Sequence, residues 1–143
     1  MKCLPLAANL PRVLAIAAIL VASAAPDLAA QTADSGSDAR VHPAQARRGV
    51  ALFQQHCHAC HTTTQFQSAA FAEARAGRPV FELFDEIRTS MPQNAPGQLS
   101  AQEYLDIVVY LLELNGHATA EEELPVDEAV LQRVRFRGKR PSL

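Results

Sequence analysis

"FQQHCHACHTT", residues 53–63, places Cys57, Cys60, His56, His58 and His61 within six consecutive positions. Sulfur and imidazole at this density suit zinc, copper, a redox dithiol or haem, and each would give the chain a different fold and task. The rest of the sequence has to discriminate among them.

Export comes first. Lys2 and Arg12 precede "VLAIAAILVASAA" at 13–25, an uncharged apolar run too short for a membrane span. Ala22-Ser23-Ala24 offers small residues to a signal peptidase, so residues 1–24 are expected to be a signal peptide. A weaker cut lies as late as residue 30, where Leu28 occupies a position that prefers a small side chain. The expected location is the periplasm, with membrane contact only if the signal stays uncleaved. Cys3 leaves with the signal, so the mature chain keeps Cys57 and Cys60 alone. About 115 residues then remain, a marginal length for a self-sufficient core, and a covalent cofactor would supply missing core volume.

Between Ala25 and Gln132 there are six Lys and Arg against fifteen Asp and Glu, while "RVRFRGKR" at 133–140 adds five positive charges. An exported acidic body without interleaved aromatic and basic residues excludes nucleic acid as a partner. The basic stretch reads as a solvated tail or a strap on the acidic body.

Residues 25–42 contain the aperiodic polar run "QTADSGSDARV" and read as a flexible leader. Pro43 suits the first turn of a helix, and Ala46, Val50 and Phe53 share one face as far as Cys57. A short helix over 68–76 is stopped by Gly77. A third follows Pro79, with Val80, Leu83, Phe84 and Ile87 as an apolar stripe, and must end before Met91-Pro92 because a residue preceding proline is pushed out of the helical region. Ser100 and Glu103 form a capping box, Leu99 and Tyr104 stand as a hydrophobic staple, and Asn115-Gly116 is a stop. Tyr104, Ile107, Val108, Leu111 and Leu112 line the buried side of that helix. One more short helix follows Asp127. No segment alternates with a period of two, so the fold class is all-α.

An all-α domain narrows the choice. Structural zinc needs a second ligand pair, and beyond the cluster only His117 remains. A thioredoxin-like dithiol needs a βαβ layer. A disulfide between Cys57 and Cys60 would restrict little of the unfolded chain. None of these uses His61. In Cys-x-x-Cys-His the two thiols add across the haem vinyl groups and the histidine is set beneath the iron, so all three residues acquire a role. Met91, the one methionine left after removal of the signal, stands thirty residues beyond His61 in a Pro/Asn/Gly loop, where a distal thioether would be placed.

"RRGVALFQQHCHACH" and "RTSMPQNAPGQLSAQEYLDIVVYLLELNG" together resemble the class I cytochromes c, in particular the small domains found beside or fused to periplasmic quinoprotein dehydrogenases; the resemblance covers residues 45–116. It implies a cytochrome c-like fold of four to five short helices around one haem c per chain, with Cys57 and Cys60 as thioether attachments and His61 and Met91 as axial iron ligands. It also implies that Gly49 and Phe53 on the first helix meet Tyr110 on the last. The domain is expected over 43–116, followed by an extension, 117–143, with an acidic turn at Glu121, Glu122 and Glu123, a short helix and the basic tail. The implied function is single-electron transfer without catalysis, with redox proteins as partners, among them a periplasmic dehydrogenase or a terminal oxidase.

Two other readings stay open at this stage. One is a haem enzyme or gas-binding protein with an open sixth site, for which His117 or Arg88 would be the distal group. The other is a tethered electron-transfer subunit of a dehydrogenase complex. "TTTQFQSAAFAEARAGRP" departs from the usual glycine- and proline-rich segment after the motif, which leaves the acceptor for the proximal imidazole N–H unassigned. Arg78, Arg88, Thr89 and Tyr104 are candidates for the haem propionates. His42, His56, His58 and His117 read as solvated bystanders.

Overall fold

Ser100 starts the helix on which the rest of the domain is built. Its hydroxyl accepts from the Glu103 backbone N–H (3.3 Å), and the Glu103 carboxylate accepts from the Ser100 backbone N–H (2.8 Å). In the computed structural model, which describes residues 36–138, six helices follow one another: α1 (Pro43–His56), α2 (Thr63–Phe66), α3 (Ala69–Arg75), α4 (Val80–Ser90), α5 (Ala101–Leu114) and α6 (Glu128–Arg133). Among the described residues there is no β-strand, only isolated bridges, so the fold class is all-α, as the sequence predicts. The expected signal peptide lies outside the described residues.

Helices α1, α2 and α4 pack against α5, and α6 against α4. The sequence predicts a buried stripe on α5; the structure buries every residue from Tyr104 to Leu112. The additional burial comes with segments outside the predicted core, because Ala39, Val41, Leu131 and Phe136 join the same hydrophobic cluster. A helix apolar around most of its circumference needs cover on every side.

Where α1 crosses α5, Gly49 permits the close approach: a Cβ there would meet the Asp106 carbonyl oxygen at 2.0 Å and Tyr110 Cβ at 2.8 Å. Phe53, one turn on, meets Tyr110 edge to face with ring centroids 5.5 Å apart. The predicted meeting of Gly49, Phe53 and Tyr110 is therefore present. α4 ends at Ser90, with Met91 in extended backbone (φ −126°, ψ 152°), as a residue before proline requires. Gly116 (φ +72°) ends α5 in the left-handed region.

Two expectations need correction, those for the leader and for His117, and two others are made more definite. The leader does not stay loose up to residue 42: Ala39 and Val41 are buried, Val41 N–H donates to the Ala118 carbonyl (2.9 Å) and Ala39 N–H to that of Arg135 (2.8 Å). The first part of the basic stretch is a strap, since Val80 N–H donates to the Val134 carbonyl and Phe136 N–H to that of Arg78. His117 is not solvated but 7% exposed, with Nδ1 2.8 Å from the Ala39 carbonyl and Nε2 accepting from the Arg137 N–H. A carbonyl only accepts and an amide N–H only donates, which fixes a neutral imidazole carrying its proton on Nδ1. The turn at Glu121–Glu123 is also tied down. Arg48 bridges Glu123 and the buried Asp106 (3% side-chain exposure), both at 2.7 Å, and the Gln45 amide pairs with the backbone of Leu124.

Candidate functional site

The turn that carries the thiols continues α1. Cys57 N–H donates to the Phe53 carbonyl, and the N–H groups of Cys60 and His61 donate back to the Cys57 carbonyl (3.1 and 2.9 Å). Two thiols and an imidazole are thereby held on one turn. Both thiols are free; Cys60 is exposed, whereas Cys57 is half-buried and its burial pushes the thiol pKa up.

These residues open into a cavity of about 710 Å³. Its walls come from five helices: Phe53 of α1, Phe66 of α2, Phe71 of α3, Leu83 and Ile87 of α4, and Ile107 and Leu111 of α5. Cys57, Cys60, His61 and Met91 all line it, so the structure brings the four site residues predicted from sequence to one space. His56 also contributes to the wall, while His58 is exposed and does not.

His61 is oriented from two sides. Its Nδ1 lies 3.2 Å from Gln65 Oε1, and its ring sits 5.5 Å from that of Phe66. With the amide oxygen accepting from Nδ1–H, Nε2 is left with its lone pair free for a metal. Gln65 thus takes the place for which the sequence provides no assignable carbonyl. The helix that presents it, α2, escapes sequence reading because four residues carry no periodicity. Phe66 is the start of a run of edge-to-face rings, to Phe71 (5.3 Å) and from there to Phe136 of the strap (5.9 Å).

Met91 is held through its backbone. Tyr104 donates its hydroxyl to the Met91 carbonyl (2.8 Å) and accepts from the Leu99 N–H (3.4 Å), which ties the loop after α4 to the start of α5. A flexible thioether is thereby presented from a positioned main chain.

None of the propionate candidates suggested by sequence lines the cavity. Arg78 pairs with Glu82 (2.5 Å), Arg88 with Asp85 (2.6 Å), and Thr89 donates its hydroxyl to the Asp85 carbonyl. The guanidinium on the cavity wall is that of Arg75, at the end of α3. Its Nη2 contacts Glu86 of α4 at 2.8 Å, its Cζ lies 5.6 Å from the Phe71 ring centroid, and its Nη1 is buried with no partner among the described residues.

The residues present fit a covalently attached haem: two free thiols and an imidazole on one turn, an apolar cavity of cofactor size, and a buried donor without an acceptor. Among the described residues, no group of three or more His, Cys, Asp or Glu is arranged to hold a metal ion by itself.

The family described as cytochrome c oxidase, cbb3-type, subunit III, has a model that matches residues 44–111, from the first turn of α1 to Leu111 of α5. No curated protein and no solved structure matches the chain. The matched stretch contains the Cys-x-x-Cys-His turn, Met91 and the α1–α5 crossing, and residues 44–111 are accordingly a class I c-type cytochrome domain, the kind that binds haem c covalently and transfers electrons.

Proposed function

We propose that the protein is a periplasmic single-electron carrier with one haem, attached through Cys57 and Cys60 and ligated by His61 and Met91. The observation that carries this reading is the common cavity onto which these four side chains open. Haem supplies the one-electron chemistry of iron between its ferric and ferrous states.

Each residue has a separate part. Cys57 and Cys60, one turn apart, hold the cofactor to the end of α1. Gln65, accepting from His61 Nδ1–H, would leave Nε2 free to hold the iron. Tyr104 fixes the backbone of Met91, so that the thioether is supplied at low conformational cost. The aromatic and aliphatic walls exclude water and disfavour the additional ferric charge. Together with a methionine ligand, that places the reduction potential above that of a bis-histidine haem. Delivery to the periplasm rests on the apolar run at 13–25 and the small residues Ala22-Ser23-Ala24 near its end. The partners are redox proteins, with a dehydrogenase or a terminal oxidase as the favoured classes.

The deciding experiment is a spectrum of the protein purified from the periplasm. Haem that survives acidified organic extraction, one equivalent per chain, and a weak long-wavelength sulfur-to-iron band in the oxidised form are expected. Met91→Ala abolishes that band and lowers the potential. Rapid carbon monoxide binding by the ferrous wild type, with no such band, would refute the ligand assignment and favour an open sixth site.

A further inference from the structure

Haem c carries two groups that the Cys-x-x-Cys-His turn does not engage. Its vinyl edge is consumed by the thioethers; the two propionates on the far edge of the ring are carboxylates that need donors. Among the described residues lining the cavity, Arg75 is the one permanently cationic side chain and Glu86 the one carboxylate.

Arg75 is placed as a clamp is. Its side chain is 13% exposed, Phe71 packs against the guanidinium and Glu86 engages Nη2. A planar fork held along one edge presents its remaining N–H groups in a fixed direction, which a lysine could not do. Nη1 is buried and without an acceptor among the described residues. A buried charged donor in that condition is costly, and proteins retain one where a ligand provides the missing acceptor. The arginines nearest to Met91 and Pro79 in sequence are already engaged by Asp85 and Glu82.

We propose that Arg75 binds a haem propionate through Nη1, with Glu86 as the residue that positions it. This assignment rests on the haem reading above. The Arg75–Glu86 pair already ties α3 to α4, and a propionate bound at Nη1 would place a positive charge beside the cofactor, from which the ferrous state, with one charge less, gains more than the ferric.

The test uses the haem-loaded full chain and compares wild type, Arg75→Gln, Arg75→Lys, Glu86→Gln and Arg88→Gln. The measurements are covalent haem content, reduction potential, and the propionate-bending band in the resonance Raman spectrum. Arg75→Gln keeps its covalent haem, shifts the potential negative and displaces the propionate band. Arg75→Lys restores much of the potential but not the band, because an ammonium does not reproduce the fork. Arg88→Gln leaves the band where it is. Haem-loaded Arg75→Gln with the wild-type band and potential would overturn the assignment. So would displacement of the band by Arg88→Gln alone. Should Arg75→Gln fail to fold, Glu86→Gln decides: the potential rises and the band moves if Arg75 holds the propionate, and an unmoved band overturns it. Wild-type protein without covalent haem would instead overturn the reading on which the assignment rests, a result separable from the others by haem content alone.

Discussion

Gly49→Ala sets two physical effects against each other, and the structure decides between them. Alanine in a helix interior is favoured over glycine by up to about 1 kcal/mol, so propensity alone predicts a more stable protein. The added methyl group, however, would stand 2.0 Å from the Asp106 carbonyl oxygen, 2.7 Å from its carbon and 2.8 Å from Tyr110 Cβ. The nearest of these obstacles is backbone, which no rotamer change removes. α1 and α5 would have to part by about 1 Å to reach the 3.0 Å below which such contacts are essentially never seen. Overpacking a tight interface costs about 1–3 kcal/mol, and a backbone obstacle belongs at the upper end. After the gain in propensity, the expected net loss is about 2 kcal/mol. For a domain of this size, that lowers the melting temperature by roughly 8–16 °C. Thermal unfolding of the haem-loaded protein, followed by far-ultraviolet circular dichroism, measures it. A melting temperature equal to or above that of wild type would refute the close-approach argument.

Two further perturbations test other parts of the framework. Ser100→Ala removes the hydroxyl that accepts from the Glu103 N–H and should lower stability by about 1 kcal/mol, read as a drop of a few degrees in the same melting experiment; an unchanged midpoint would mean that the capping box contributes nothing. His117 is held below its ordinary pKa chiefly by burial. The unfolded chain therefore takes up a proton near pH 6.5 that the folded chain accepts only at lower pH, and stability is lost as pH falls from about 7 toward 5. In His117→Gln that part of the pH dependence disappears, and equal melting-temperature differences between pH 7 and pH 5 in the two proteins would contradict it.

Much of the framework is legible locally. Pro43, the stripe from Val80 to Ile87 and the Ser100–Glu103 capping box each place a helix within a residue of its observed boundary, because each signal acts through contacts only a few positions apart. The Cys-x-x-Cys-His turn is equally local. What escaped is non-local. Val41 and Phe136 are single apolar residues in polar surroundings, and isolated bridges have no period by which to recognise them. His117 resembles any histidine beside a helix end until the Ala39 carbonyl and the Arg137 N–H arrive from opposite ends of the chain. Arg78 and Arg88 are propionate candidates by residue type alone, yet both pair with carboxylates within a helical turn of themselves. Arg75 meets Glu86 across a loop, a pairing that no helical period marks.

The bridges that bind residues 37–41 to 118–120 and 135, and residues 134–136 to 77–80, also determine how the domain carries mechanical load. Tension applied at residue 36 meets the bonds of Ala39 and Val41 before it reaches Pro43, and tension applied at residue 138 meets those of Phe136 and Arg135 before it reaches α6. Neither force passes first through the turn of Cys57, Cys60 and His61. In the proposed electron carrier, the turn that would attach the cofactor is therefore not the first part of the domain to take up a pull on either end of the described residues.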